Sequence, residues 1–208
     1  RVKTQMQGGD SDTQRVLRLT SVDTLFMTVL SDSFGAIARR ILPDRLQCVV
    51  ANTHLDMARL QADMTLRPAQ SLPEDMVGDA VGTLGVAVYA HPDAPDRWLE
   101  PTGPLAGSLI GQWFRDHASD SAPVGGADSF TILRELARSG QGMAVLPCIL
   151  GDAMPELERR DAPDLPSIPL WVATHRDLAG LDRIERLRAA VIAAVERHEN
   201  ALTGLSRR

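Results

Sequence analysis

Hydrophobic and polar positions change period several times along the chain, and each change marks an element. Arg15-Val-Leu-Arg-Leu-Thr20 alternates as a strand with one face buried. Phe26, Val29, Leu30, Ile37 and Ile41 then recur at helical spacing, with Ser21 and Asp23 as candidate N-caps, Arg39 and Arg40 suited to the C-terminus, and Pro43 as the stop. Leu46 to Ala51 reads as a second strand. Asn52 or Thr53 caps a short helix through Leu60, and Asp63-Met-Thr-Leu66 is a third strand. That order predicts a parallel sheet with helices on its faces.

Farther along, Met76 to Ala80 reads as a strand, and Leu84 to Ala90 is apolar throughout, as expected of a strand crossing into new surroundings. Prolines 92, 95, 101 and 104 mark irregular chain, and Leu109 to His117 is a helix with Ile110, Trp113 and Phe114 inward. The most informative stretch is Val124 to Pro147. It predicts a very short strand, a helix capped by Asp128 or Ser129, and a buried strand at Met143 to Leu146. Phe130, Leu133 and Ala137, with Ile132 and Leu136 beside them, form that helix's apolar face, Arg134, Glu135 and Arg138 face water, and Gly140 suits the C′ position. Unpaired amides at such a helix start, facing a cleft, make a small anion or polar-ligand site; the same pattern also fits an ordinary strand–helix–strand unit without a ligand. Leu170 to Thr174 is another strand, and Asp182 to about Leu202 a single long helix with Ile184, Leu187, Val191 and Val195 on one stripe.

Composition narrows the function classes. A length of 208 residues allows one large domain or two small ones, and a net charge of −5 argues against gripping nucleic acid phosphates through this surface. No run approaches the roughly 20 apolar residues of a membrane helix, so no membrane partner is expected. No secretory signal pattern opens the sequence, which starts without Met. Cys48 and Cys148 could form a bridge but read better as buried free thiols, and the five histidines lack ligand spacing, so neither a metal nor a cofactor is expected. Three fragments imitate catalytic motifs. Gly107-Ser-Leu-Ile-Gly111 misses the nucleophile-elbow register by one residue, and Gly140-Gln-Gly142 precedes its strand instead of following one. His175-Arg-Asp-Leu178 lacks the asparagine and the upstream phosphate loop of a kinase. None of this points to an enzyme.

What remains is polar residues at strand ends. Thr20 and Ser21 end the first strand, Thr65 and Arg67 the third, and Asp128 and Ser129 begin a later helix. In open α/β sheets ligands bind outside the carboxyl ends of strands, and Arg67 is suited to hold a carboxylate bidentately or to pair with a nearby acid such as Asp63.

Five stretches in order, RVLRLTSVDTL, RLQADMTLRP, GDAVGTLGVAVYAHPD, GADSFTILRELARSGQGMAVLP and LWVATHRDLAGLDRIERLRAAV, resemble the effector-binding portion of LysR-type transcriptional regulators. The resemblance covers nearly the whole chain from Arg15. It implies an α/β fold of two Rossmann-like subdomains joined by two crossing strands, the type II periplasmic-binding-protein fold. Subdomain I would comprise 15–88 and 170–202 and subdomain II 89–169, with 1–14 a linker remnant and 203–208 a C-terminal tail. It further implies a small-molecule effector between the subdomains, a carboxylate being one candidate, and matches Thr20, Ser21, Thr65, Arg67, Asp128, Ser129, Phe130 and Pro147 to the effector site. An acid at Asp128 weighs against a strongly anionic effector. The family also implies a homodimer, commonly a tetramer at full length, a cytoplasmic location, and DNA binding only through an N-terminal domain absent from these 208 residues. The alternatives are an exported solute-binding protein of a transporter and a small-molecule lyase using His175 or Asp128, both on the same fold.

Overall fold

The computed structural model describes residues 14–51, 62–118 and 122–205. The expected helix from Asn52 to Leu60, and all but one residue of the expected linker, lie outside these.

The chain opens with β1 (Val16–Ser21) and a continuous helical run: α1 (Asp23–Leu25), a π-helical stretch (Phe26–Leu30) and α2 (Ser31–Arg40). Neither expected cap forms: Val22 is the N-cap of α1, because the Ser21 hydroxyl donates instead to the Leu66 carbonyl at 2.5 Å. There follow β2 (Arg45–Val50), β3 (Met64–Pro68) and β4 (Met76–Leu84). With β10 (Ile168–His175) they make a five-stranded sheet in the order β2-β1-β3-β10-β4. β1 runs parallel to β2 and β3, whereas β10 is antiparallel to β3 and β4, so the sheet is mixed and not purely parallel.

The second lobe contains β5 (Val86–Ala90), β6 (Leu99–Pro101), α3 (Leu109–His117), β7 (Gly125–Ala127), α4 (Phe130–Arg138), β8 (Ala144–Pro147), α5 (Cys148–Gly151) and β9 (Glu158–Arg160). Its strands form an antiparallel sheet, β8-β5-β9, and a parallel pair, β6-β7. The chain closes on α6 (Asp182–Arg197) and α7 (Glu199–Thr203).

Two expectations are revised at the junction between the lobes. The apolar run from Leu84 to Ala90 is not one strand: it breaks at Gly85, where the chain leaves the large sheet for the small one. A Cβ on Gly85 would lie 2.5 Å from the Thr203 carbonyl oxygen, and the Gly85 amide donates to the Leu202 carbonyl at 2.8 Å, so only glycine lets the closing segment pack there. The closing helix is correspondingly broken at His198 (φ −104°, ψ 9°), which turns α7 toward that junction. Gly204, in the left-handed conformation, then presents its carbonyl to Arg159 Nη2 at 2.9 Å. Arg159 also pairs with Asp152, which accepts the buried Tyr89 hydroxyl at 2.9 Å; burial holds the pKa of that phenol well above its ordinary value.

The larger core packs Ile184, Leu187, Val191 and Val195 of α6 together with Leu17, Leu19, Leu66, Leu170 and Val172 of the sheet. Each such side chain stabilises the fold by roughly 1.5–3 kcal/mol relative to exposure. A smaller core gathers Tyr89, Leu133, Ala137, Leu146 and Leu157. On α4, Leu133 and Ala137 are buried as expected, but Ile132 is 49% exposed, one residue too far round the helix. Both cysteines are free; Cys148 is buried, while Cys48, on edge strand β2, is exposed and departs from the expected burial. Among the described residues no helix is long and apolar enough to cross a membrane.

Candidate functional site between the lobes

The start of α1 and the ends of β3 and β4 meet the 3₁₀ turn Gly103–Gly107, Asp128, Phe130 and Pro147 around a cavity of about 470 Å³. That volume suits a small ligand. From the sheet side come Val22, Asp23, Thr24, Arg67, Pro68 and Leu84; from the other lobe come Pro104, Leu105, Gly107, Ser108, Asp128, Phe130 and Pro147. A chamber of about 330 Å³ continues past Pro68, Leu84, Gly107, Ser108 and Phe130 toward Gln70 and Gln112.

The polar groups of the wall are unevenly satisfied. Arg67 is 4% exposed, so its guanidinium is a buried charge at the cavity, and burial of a charge is costly unless something compensates it. Thr24 is 1% exposed, and among the described residues its hydroxyl makes no hydrogen bond. Asp23 is engaged: Oδ1 accepts the Thr24 amide at 2.7 Å, and Oδ2 accepts the Ser129 hydroxyl at 2.6 Å and the Thr131 hydroxyl at 3.2 Å. These last two bonds join the lobes directly, across more than a hundred residues of sequence. Ser129 is the N-cap residue of α4, but its side chain does not cap that helix, because the hydroxyl is turned toward Asp23.

Asp128 is placed by pairing on the other side. β6 and β7 align Pro101 with Ala127, the Thr102 amide donates to the Ala127 carbonyl at 2.8 Å, and Asp128 emerges beside Gly103. Gly103 has φ +53°, which favours glycine, and a Cβ there would sit a tight 3.1 Å from that of Asp128. Among the described residues no donor reaches the Asp128 carboxylate, which lies exposed at the cavity edge.

A larger cavity of about 520 Å³ lies within the second lobe, lined by Trp98, Trp113, His117, Met143 and Arg160 among others. Its polar groups are either spent, as Trp113 Nε1 on the Pro163 carbonyl at 2.9 Å, or exposed, as Arg160 and Asp161 are. A buried charge, Arg67, and polar groups contributed by both lobes distinguish the inter-lobe cavity from it.

Solved structures with this arrangement include regulatory domains of transcriptional regulators. The CrgA regulatory domain of Neisseria meningitidis, a LysR-type transcriptional regulator, superposes with a TM-score of 0.73 at 21% identity, covering 87% of this chain and 98% of that one. The AmpR effector domain of Pseudomonas aeruginosa gives 0.72 at 16% identity over 90% and 98%, and the reduced OxyR regulatory domain of that organism 0.67 at 17% over 86% and 98%. The fold is that of a LysR-type regulatory domain. No family model matches the sequence, and no curated protein does either.

On this LysR-type fold, four of the eight residues expected at the site line the cavity: Arg67, Asp128, Phe130 and Pro147. Ser129 stands at its edge as a partner of Asp23. Thr20, Ser21 and Thr65 lie behind the wall, 0%, 1% and 1% exposed, with the hydroxyls of Thr20 and Ser21 donating to the Met64 and Leu66 carbonyls. Sequence reasoning did not include Asp23 and Thr24, which stand one helical step beyond the strand end, nor the turn Pro104 to Ser108. The polar run Thr-Ser-Val-Asp-Thr did carry a signal for the first pair. The turn had none, because three-residue strands such as β6 and β7 leave no periodicity.

Proposed function

We propose that this chain is the effector-binding domain of a LysR-type transcriptional regulator, with a small molecule held between the lobes. The reading is carried by one observation: buried Arg67 and the Thr24 hydroxyl, which has no hydrogen bond among the described residues, face Asp128 and Phe130 of the other lobe across a cavity that the Asp23–Ser129 bond spans. The subdomains are 15–88 with 170–202, and 89–169. A ligand contacting both favours one relative orientation, and the shift cannot exceed its differential affinity for the two orientations. In the full regulator the changed orientation alters how paired subunits present DNA-binding domains carried elsewhere in the polypeptide, which places the protein in the cytoplasm.

Pairing is part of this proposal. Met27 and Phe34, on the helical run of the first lobe, are 56% and 44% exposed, and Ile132 on α4 is 49% exposed. Side-by-side antiparallel pairing of two copies brings such faces together and removes apolar surface from water. The proposal therefore includes a homodimer, and a tetramer at full length.

Calorimetric titration of the chain with small monocarboxylates and amino carboxylates tests the site. For a carboxylate that binds, Arg67→Ala costs about 2–5 kcal/mol, as expected when one partner of a buried charge pair is removed. Phe130→Ala costs about 1–2 kcal/mol of lost apolar contact. Affinity unmoved by either substitution places the ligand elsewhere and sinks the site.

A further inference from the structure

The charge layout of the cleft narrows the ligand class, granting that the cleft is the effector site. Among the described lining residues the charged groups are Asp23, Arg67 and Asp128, two carboxylates against one guanidinium. Asp23 already accepts the Thr24 amide and two hydroxyls. Asp128 accepts no hydrogen bond among the described residues, although Gly103 and the β6–β7 pairing hold it at the cavity. The remaining wall is largely apolar: Val22, Leu84, Leu105, Phe130 and Pro147.

A simple carboxylate would meet a charge of opposite sign at Arg67 but add a third negative charge beside two carboxylates. A simple amine would satisfy Asp128 and meet a buried guanidinium of its own sign. A molecule with both groups answers both walls, and the Thr24 hydroxyl, 1% exposed and without a hydrogen bond among the described residues, offers it a further donor or acceptor. We infer that the cleft selects a small zwitterion with an apolar body, of the amino-acid class, its carboxylate on Arg67 and its ammonium on Asp128. Contacts to the two lobes then depend on two adjacent charged groups of one ligand, which couples recognition to lobe closure.

The experiment screens the twenty amino acids against the chain by thermal shift. Calorimetry then follows the best apolar binder beside its deaminated acid and its decarboxylated amine; for phenylalanine these are 3-phenylpropionate and phenethylamine. The intact amino acid is expected to bind roughly ten- to a hundredfold more tightly than either truncated form, the range of one hydrogen-bonded charge. Asp128→Asn should abolish the preference over the deaminated acid, weakening the amino acid while the acid binds as tightly or more tightly, because one repelling carboxylate is gone. Arg67→Gln should abolish the preference over the amine. If the acid binds as tightly as the amino acid and loses affinity in Arg67→Gln, the zwitterion class is overturned while the cleft stands as the site. If binding ignores Arg67→Gln and Asp128→Asn alike, both fall. Silence from every amino acid overturns the zwitterion class, and monocarboxylate binding then decides the cleft.

Discussion

Arg67 and Asp128 face the same cavity from opposite lobes, yet Arg67 is 4% exposed and Asp128 lies open to solvent. The difference is one of construction. Arg67 belongs to β3, held between β1 and β10, and the residues before it, Met64 to Leu66, are all buried. Moving Arg67 would disturb the larger core. Asp128 follows a three-residue strand whose one partner is another of equal length, and it leans on a 3₁₀ turn with no buried residues. One wall is thus an extension of the sheet, and the other is short connections supported by a smaller core. Regions with few buried contacts open at low free-energy cost, so the sheet wall fixes where the ligand sits and the opposite wall adapts to it.

The largest test of that contrast concerns the bond between the walls. Asp23→Ala removes the acceptor of the Ser129 and Thr131 hydroxyls. Hydrogen bonds to a charged group contribute about 1.5–3 kcal/mol each where little water competes, and partial exposure places the combined loss here at the lower end. The lobes should separate in the ligand-free chain, read as a larger radius of gyration in solution scattering and faster amide exchange at the start of α4. The core strands β1 and β3 should keep their protection. Faster exchange in β1 as well would show that the walls are one cooperative unit and erase the contrast.

A smaller effect is expected at Gly103→Ala. The left-handed φ of +53° costs an alanine about 1–2 kcal/mol, and the new Cβ presses on Asp128. Chemical denaturation should show that loss, and ligand affinity should fall more for amine-bearing probes than for plain carboxylates. An equal loss for both probe types would mean that Asp128 does not discriminate between them.

How much of this was legible in the sequence follows the same division. β1, α3 and α4 came out of periodicity because each buries a face against a core: Leu17 and Leu19, Ile110 and Phe114, Leu133 and Ala137 are all within 7% of full burial. Arg67 was legible as an arginine at a strand end. The break at Gly85 was not, because the residues either side are equally apolar and the cause, the Thr203 carbonyl, lies far along the chain. Nor was the partnership of Asp23 with Ser129. Both read as candidate caps of their own helices, and only the approach of the lobes turns one toward the other. Cys48 misled because an edge strand carries the same apolar neighbours as a central one.

The smallest effect lies on the outer face of α4, away from the cleft. Glu135 accepts from Arg138 Nε at 2.8 Å and from Arg134 Nε at 3.0 Å, and these cations, Arg138 first, hold its carboxyl below the ordinary glutamate range. Because the folded form is the more acidic, Glu135 stabilises α4 above the unfolded glutamate value, and the contribution is lost as pH falls through the folded one. The pair is largely solvated, so the contribution is small and salt-sensitive. The melting temperature of the parent chain minus that of Glu135→Gln should be slightly positive at pH 7 in low salt, and should shrink toward zero by about pH 3 or in 1 M salt. A difference that persists in acid would mean that the Glu135 charge is not its source, and none at pH 7 would mean that α4 is held by its buried face alone, Leu133 and Ala137, as the sheet wall is by its own core.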